Sequence, residues 1–126
     1  MNLNQVTLPA TDIARSVSFY RNMGFTLIVD SPHYARFECP DGDATFSVHA
    51  SEFPAPDHGA VVYFECNDLD QRVAVLQSEG FEFTQVPTDE RWLWREARLR
   101  DPAGNQLCLY FAGANRKHPP WRASAA

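Results

Sequence analysis

Long apolar runs, a basic stripe and paired-cysteine motifs are all missing from this chain of 126 residues, and each absence closes off a class of function. A membrane-spanning helix needs ~20 consecutive apolar residues, and no run approaches that length. A duplex-binding protein needs clustered Lys and Arg to displace phosphate counterions. Here 11 Lys and Arg stand against 16 Asp and Glu, the net charge is -5, and no dense basic stripe occurs. Nucleic acid is therefore excluded as a partner, and so is a membrane. The three cysteines, Cys39, Cys66 and Cys108, form an odd set with no CxxC spacing. They suit a reducing compartment in which cysteine serves as a small buried hydrophobe. Met1 to Gln5 has neither the basic nor the apolar region of a signal peptide, so the expected location is the cytoplasm. No GxSxG, HExxH, P-loop or GxGxxG pattern is present.

What remains is an ordinary globular composition, 44% apolar and 21% charged. A chain of this length forms one domain and buries roughly two thirds of the surface its unfolded form exposes.

The order of elements is legible from periodicity. Val6 to Ala10 alternates as a strand does. Thr11-Asp12 caps a helix, since short oxygen side chains accept the free N–H groups of a first turn. Ile13, Val17 and Tyr20 recur at helical spacing, and Gly24 ends the helix as a left-handed residue. Strands follow at Phe25 to Val29, Tyr34 to Cys39 and Ala44 to His49, the last two joined by the Asp41-Gly42 turn. Moving on by 56 residues repeats the pattern. Val6 becomes Val62, Leu8 becomes Phe64, Asp12 becomes Asp68, Val17 becomes Val73, Tyr20 becomes Leu76, and Gly24-Phe25 becomes Gly80-Phe81. Two further strands lie near Trp94 to Leu99 and Gln106 to Phe111. Asp101-Pro102-Ala103-Gly104-Asn105 joins them, with proline presetting one φ and glycine free to take a positive one.

The pattern predicts an α+β fold of two βαβββ modules. Module one covers about residues 1–52 and module two about 58–113, within a single domain 1–113 followed by a tail 114–126. Each helix covers one face of a four-stranded sheet. The other faces form an eight-stranded cup, the kind of concave surface that takes a small ligand.

Several runs now carry a family resemblance. Asp12 to Ser16 and Phe19 to Phe25 resemble the first helix of the glyoxalase/bleomycin-resistance/dioxygenase (vicinal oxygen chelate) superfamily, D-x-x-x-S-x-x-F-Y-x-x-x-L-G-F. Asn67 to Asp70, Leu76 and Gly80-Phe81 are similar to its second helix. Arg95 to Asn105 is similar to the final hairpin of the bleomycin-resistance group. The resemblance implies one of two activities. Enzymes of the superfamily, such as glyoxalases, ring-cleaving dioxygenases and thiol transferases, hold a divalent ion on the inner strands. Bleomycin-resistance proteins are metal-free homodimers that sequester a drug.

The family's ion-holding positions fall on Gln5, Ser47, Val61 and Cys108. Hard divalent ions want carboxylates and imidazoles, and this set has neither. The expectation is a metal-free site. A relocated site for zinc, manganese, nickel or iron could draw on Gln5, His49 and Cys108. Cys108 and His49 could alternatively pair as a nucleophile and base, if close.

Gln5, Thr7, Ser47 and His49 are candidate polar ligand contacts. Tyr63, Trp92, Trp94 and Tyr110 are candidate stacking surfaces for a planar ligand, and the two tryptophans suit core or dimer packing equally. Glu96 is either a general base facing the ligand or a charge partner of Arg95 or Arg98. Trp121, in the basic tail Asn115 to Arg122, is expected to pack back on the fold or on a partner subunit. The resulting expectation is a cytoplasmic, homodimeric, bleomycin-resistance-like protein binding a planar or drug-sized molecule. Its alternatives are a glyoxalase-like lyase or dioxygenase with a rearranged metal site, and a structural dimer that binds nothing.

Overall fold

The computed structural model describes residues 1–124. Its elements run β1 (Gln5–Ala10), α1 (Ile13–Met23), β2 (Thr26–Ser31), β3 (Tyr34–Glu38), β4 (Thr45–Ala50), β5 (Val61–Glu65), α2 (Leu69–Ser78), β6 (Phe83–Asp89), β7 (Arg95–Arg100) and β8 (Gln106–Phe111). The chain is α+β and repeats strand, helix and three strands twice, as the sequence pattern predicts. It divides into two compact units. The first is residues 1–60 together with Arg100–Asn105. The second is residues 61–99 with everything from Gln106 onward.

In the first unit the sheet order is β1-β4-β3-β2. β1 runs parallel to β4, with Gln5 opposite Thr45 and Thr7 opposite Ser47. Asp12 caps α1 by accepting from the Arg15 backbone N–H at 3.1 Å. Gly24, at φ 112°, ends the helix. The buried stripe of α1 is Ser16, Tyr20 and Met23, while Ile13 and Val17 are half-buried flanks of it. Tyr20 packs edge-on against Phe46, centroids 4.8 Å apart, and Phe46 stacks on Phe37 at 5.0 Å. Phe37, Phe46 and Val48 are completely buried on this face.

The Tyr20 hydroxyl cannot enter that core unpaired. It donates to Asp101 Oδ2 at 2.6 Å. Asp101, in the turn after β7, also accepts from the backbone N–H groups of Ala103 and Asn105 and from Asn105 Nδ2. Asn105 Nδ2 reaches the Pro9 carbonyl as well, at 2.8 Å. Burial and the neighbouring Asp101 carboxylate push the Tyr20 phenol well above its usual range. The turn thus belongs to the first unit's core, although the sequence pattern assigns it to module two.

The second unit repeats the sheet as β5-β8-β7-β6. β5 runs parallel to β8, with Tyr63 opposite Cys108 and Glu65 opposite Tyr110. Leu69, Val73 and Leu76 form the buried stripe of α2, facing Leu107 and Leu109 across a purely apolar core. Asp68 occupies the cap position but makes no side-chain cap hydrogen bond, unlike Asp12. Gly80 takes φ 97° beyond the helix end.

After β8 the chain makes a short 3-10 turn at Gly113–Arg116. The Glu65 carboxylate anchors it, accepting from the Ala112 and Gly113 N–H groups at 2.9 Å each. Trp121 is 57% exposed and does not pack back onto its own fold; the tail bonds mainly to itself, with Arg122 Nη1 2.6 Å from His118 Nδ1, and the other expected partner of Trp121, a second subunit, is not tested by a single chain.

Candidate functional site

Each sheet turns one face to its helix, and the candidate residues collect on the other face, where Ser47, Glu96, Cys108 and Tyr110 are buried and Gln5, Thr7, His49 and Tyr63 exposed. Alternation decides which side chains stand there. Phe46 and Val48 point toward α1, so Ser47 and His49 point away from it.

The first unit's outer face carries a polar chain. Gln5 Nε2 donates to Ser47 Oγ at 2.8 Å, and the Thr45 hydroxyl donates to Gln5 Oε1. Ser47 Oγ and Tyr34 OH share a hydrogen bond at 2.5 Å. Arg36 Nε donates to Tyr34 OH at 3.0 Å. The hydrogen bond with Ser47, and then the Arg36 guanidinium, hold the Tyr34 phenol below its usual range. The sequence reading found Gln5 and Ser47 but missed Tyr34, Arg36 and Thr45. Alternation along β3 was the available signal, since Ala35 and Phe37 are buried and Tyr34 and Arg36 must face the other way. Thr7 is exposed beside Ser47. His49 stands further along the strand, its ring 6.3 Å from that of Tyr34 and its Nδ1 3.0 Å from the Ala50 carbonyl.

The second unit's outer face is aromatic. Trp94 stacks on Tyr110 at 4.8 Å, and Tyr63 meets both rings edge-on, at 5.7 and 5.4 Å. Val61 and Trp94 pack against the buried cluster of Cys108, Tyr110 and Ala112. Beside the rings lies a charged group that is almost fully buried. Glu96 is 1% exposed. Its Oε1 accepts from Arg98 Nη2 at 2.8 Å, and its Oε2 accepts from Trp92 Nε1 at 2.6 Å. Arg98 Nη2 also reaches Tyr63 OH at 3.2 Å. Arg95 turns away to Asp70 and Asp89 instead. Glu96 therefore pairs with Arg98 alone of its two flanking arginines, deep in the sheet and not at its surface.

Trp92 reaches Glu96 from a turn in which Leu93 N donates to the Glu90 carbonyl at 3.0 Å and Glu90 N to the Trp94 carbonyl at 2.8 Å. Leu93 sits in this turn at φ 69°. A branched side chain is costly in that region, so the surrounding bonds must hold it there.

The donors at the family's ion-holding positions do not suit a divalent ion. Gln5 has its amide engaged by Thr45 and Ser47, and Val61 is a hydrocarbon packed against other apolar groups. Burial, with the Glu96 carboxylate beside it, pushes the Cys108 thiol up to about 12. Without a metal it stays protonated at neutral pH, which disfavours it as a nucleophile. The relocated set fares no better. His49 is opposite Pro9 and Gln5 opposite Thr45, a separation of about 13 Å along the strands, while the Gln5 amide is held at its own end. The near partner of Cys108 is a carboxylate at 3.8 Å. That raises the thiol pKa, the opposite of what nucleophile activation requires.

Comparison with known proteins gives the family context. The model of the Glyoxalase/Bleomycin resistance protein/Dioxygenase superfamily matches residues 2–109. No curated protein matches the sequence. Among solved structures, a glyoxalase/bleomycin resistance protein/dioxygenase from Nocardioides superposes with a TM-score of 0.79 at 20% identity, over 98% of this chain and 90% of that one. A bleomycin-binding protein complexed with bleomycin gives 0.74 at 20% identity, over 88% and 98%. A lactoylglutathione lyase from Agrobacterium tumefaciens gives 0.71 at 19% identity, over 87% and 92%. Those likenesses establish a shared fold, and the family match spans both modules: the chain belongs to the glyoxalase/bleomycin resistance protein/dioxygenase superfamily.

Proposed function

We propose that this protein binds a planar small molecule, without a metal ion, on the aromatic outer face of its second sheet, and that it does so as a cytoplasmic homodimer. The observation that carries the reading is the Tyr63–Trp94–Tyr110 cluster bordered by Trp92 and the Glu96–Arg98 pair. Rings fixed by mutual contact lose little freedom when a flat ligand stacks on them. The Tyr63 and Trp92 rings are 41% and 38% exposed and offer surface for that contact. Arg98 and Tyr63 add polar groups at the edge to fix orientation. The likeness to a bleomycin-binding protein supports a sequestering role, and the three free cysteines support a reducing compartment. The donor chemistry at Gln5, Val61 and Cys108 disfavours the lyase or dioxygenase alternative, whose relatives act through an ion.

Calorimetric titration with bleomycin and with a panel of flat aromatic compounds tests the reading. Trp92→Ala should weaken binding of an active compound about tenfold, the ~1.4 kcal/mol of one stacking contact. Unchanged affinity, or a stoichiometric metal found by elemental analysis of the purified protein, would refute it. Sedimentation at several concentrations tests the dimer.

A further inference from the structure

The first unit's outer face holds an arginine that its own surroundings leave without a counter-ion. Arg36 lies in the middle of β3, opposite Ser47 on β4. Its Nε–H bonds to Tyr34 OH, and its guanidinium carbon lies 5.4 Å from the centroid of the Tyr34 ring. These contacts hold the group in place. A guanidinium has five N–H donors, and the hydrogen bonds found among the described residues engage only one of them. No ion pair to Arg36 occurs among those residues either. The three arginines of β7 differ, for Arg95, Arg98 and Arg100 each face a carboxylate. Glu38 shares the strand face two positions away and does not pair with Arg36.

The neighbouring hydroxyls carry a surplus of protons. Tyr34 OH accepts from Arg36, and Ser47 Oγ accepts from Gln5. The single bond between the two hydroxyls uses one of their two protons. Whichever way that bond runs, one O–H is left over, and it has no acceptor among the described residues. An unmatched guanidinium fork beside an unused O–H donor calls for an anionic oxygen, and a planar carboxylate fits the fork with two parallel bonds.

We propose that Arg36 and Tyr34, backed by Ser47 and Gln5, form a recognition site for the carboxylate of a small organic acid. The lowered pKa of Tyr34 fits a phenol oxygen that already receives hydrogen bonds.

Benzoate is the probe. Calorimetry at constant ionic strength should detect its binding to the full chain. Arg36→Met should weaken it at least tenfold, and Arg36→Lys, which keeps the charge but not the fork, less. Because Arg36 is exposed, both variants should keep the wild-type circular dichroism spectrum. A second readout is the phenol absorbance during alkaline titration. Tyr34 should be the first phenol to ionise, Tyr34→Phe should abolish that step, and saturating benzoate should move it to higher pH. Equal benzoate affinity in Arg36→Met, a first phenol step that benzoate leaves in place, or binding of inorganic phosphate without benzoate would each overturn the proposal. The aromatic face is tested separately with Trp92→Ala and a neutral flat ring, so either reading can fail without the other.

Discussion

The two modules share a plan but differ in a patterned way. At positions facing the helices they keep their character: Phe46 and Val48 of β4 correspond to Leu107 and Leu109 of β8, and Leu8 to Phe64. On the outer faces they part. Gln5 corresponds to Val61, Thr7 to Tyr63, Ser47 to Cys108 and His49 to Tyr110, as the paired registers of β1 with β4 and β5 with β8 require. One outer sheet face has become a polar network with a cation that no carboxylate among the described residues pairs, the other an aromatic surface with a half-buried ion pair. Close packing limits what the inner positions can accept.

Two positions on the inner stripe of α1 depart from this. Ser16 corresponds to Arg72 and Tyr20 to Leu76, so the first core buries two hydroxyls; that of Ser16 has no hydrogen-bond partner among the described residues, and that of Tyr20 is held by Asp101. Asp101→Ala tests that difference most severely. It removes the acceptor from the Tyr20 hydroxyl, two backbone N–H groups and the Asn105 amide at once, and should cost about 3 kcal/mol, read by urea unfolding. A loss under 1 kcal/mol would mean that the hydroxyl is not locked.

The Ser47–Cys108 difference gives a pH test. The Cys108 thiol titrates near 9.0 when unfolded and about 12 when folded. Below about pH 8 it is neutral in both states and does not affect stability. Above pH 9 the unfolded chain releases a proton that the folded chain retains, so stability falls as pH rises, by at most ~1.4 kcal/mol per pH unit. Tyr20, raised by burial, acts in the same direction above its usual range. Cys108→Ser should make the decline between pH 9 and 10.5 shallower, and an identical decline would show that the thiol does not contribute.

The caps give the smallest test. Asp12→Ala should cost about 1 kcal/mol, whereas Asp68→Ala, which loses no side-chain cap bond, should cost close to nothing. Equal costs would restore the equivalence of the two helix starts.

The order of elements was legible in the sequence because it depends on local signals. Asp12, Gly24 and the 56-residue offset need no knowledge of distant partners. The family resemblance pointed to Gln5 and Ser47, and alternation put Ser47 on the face away from α1, so these two positions were legible. Their partners were not, because Tyr34 and Arg36 join the network only through a strand pairing that spacing does not specify. Glu96 reads from the sequence either as a general base or as the charge partner of a flanking arginine, and its burial beside Arg98 depends on packing that the sequence does not show. Nothing in the turn composition foretells a leucine at φ 69° in position 93. For Trp121, a tryptophan beside two prolines suggests packing, which its own fold does not provide.

The bond between Tyr20 and Asp101 spans 81 positions, so the first unit is not continuous in sequence. During synthesis its helix and four strands leave the ribosome well before the turn that completes their core. Until Asp101 arrives, the nascent half carries a phenol with nowhere dry to put its proton. Such a long-range closure slows folding and prolongs exposure of incomplete surface. The amino-terminal half, although it has every strand of a module, is not a self-sufficient fragment, and its maturation waits on the distant turn that carries Asp101.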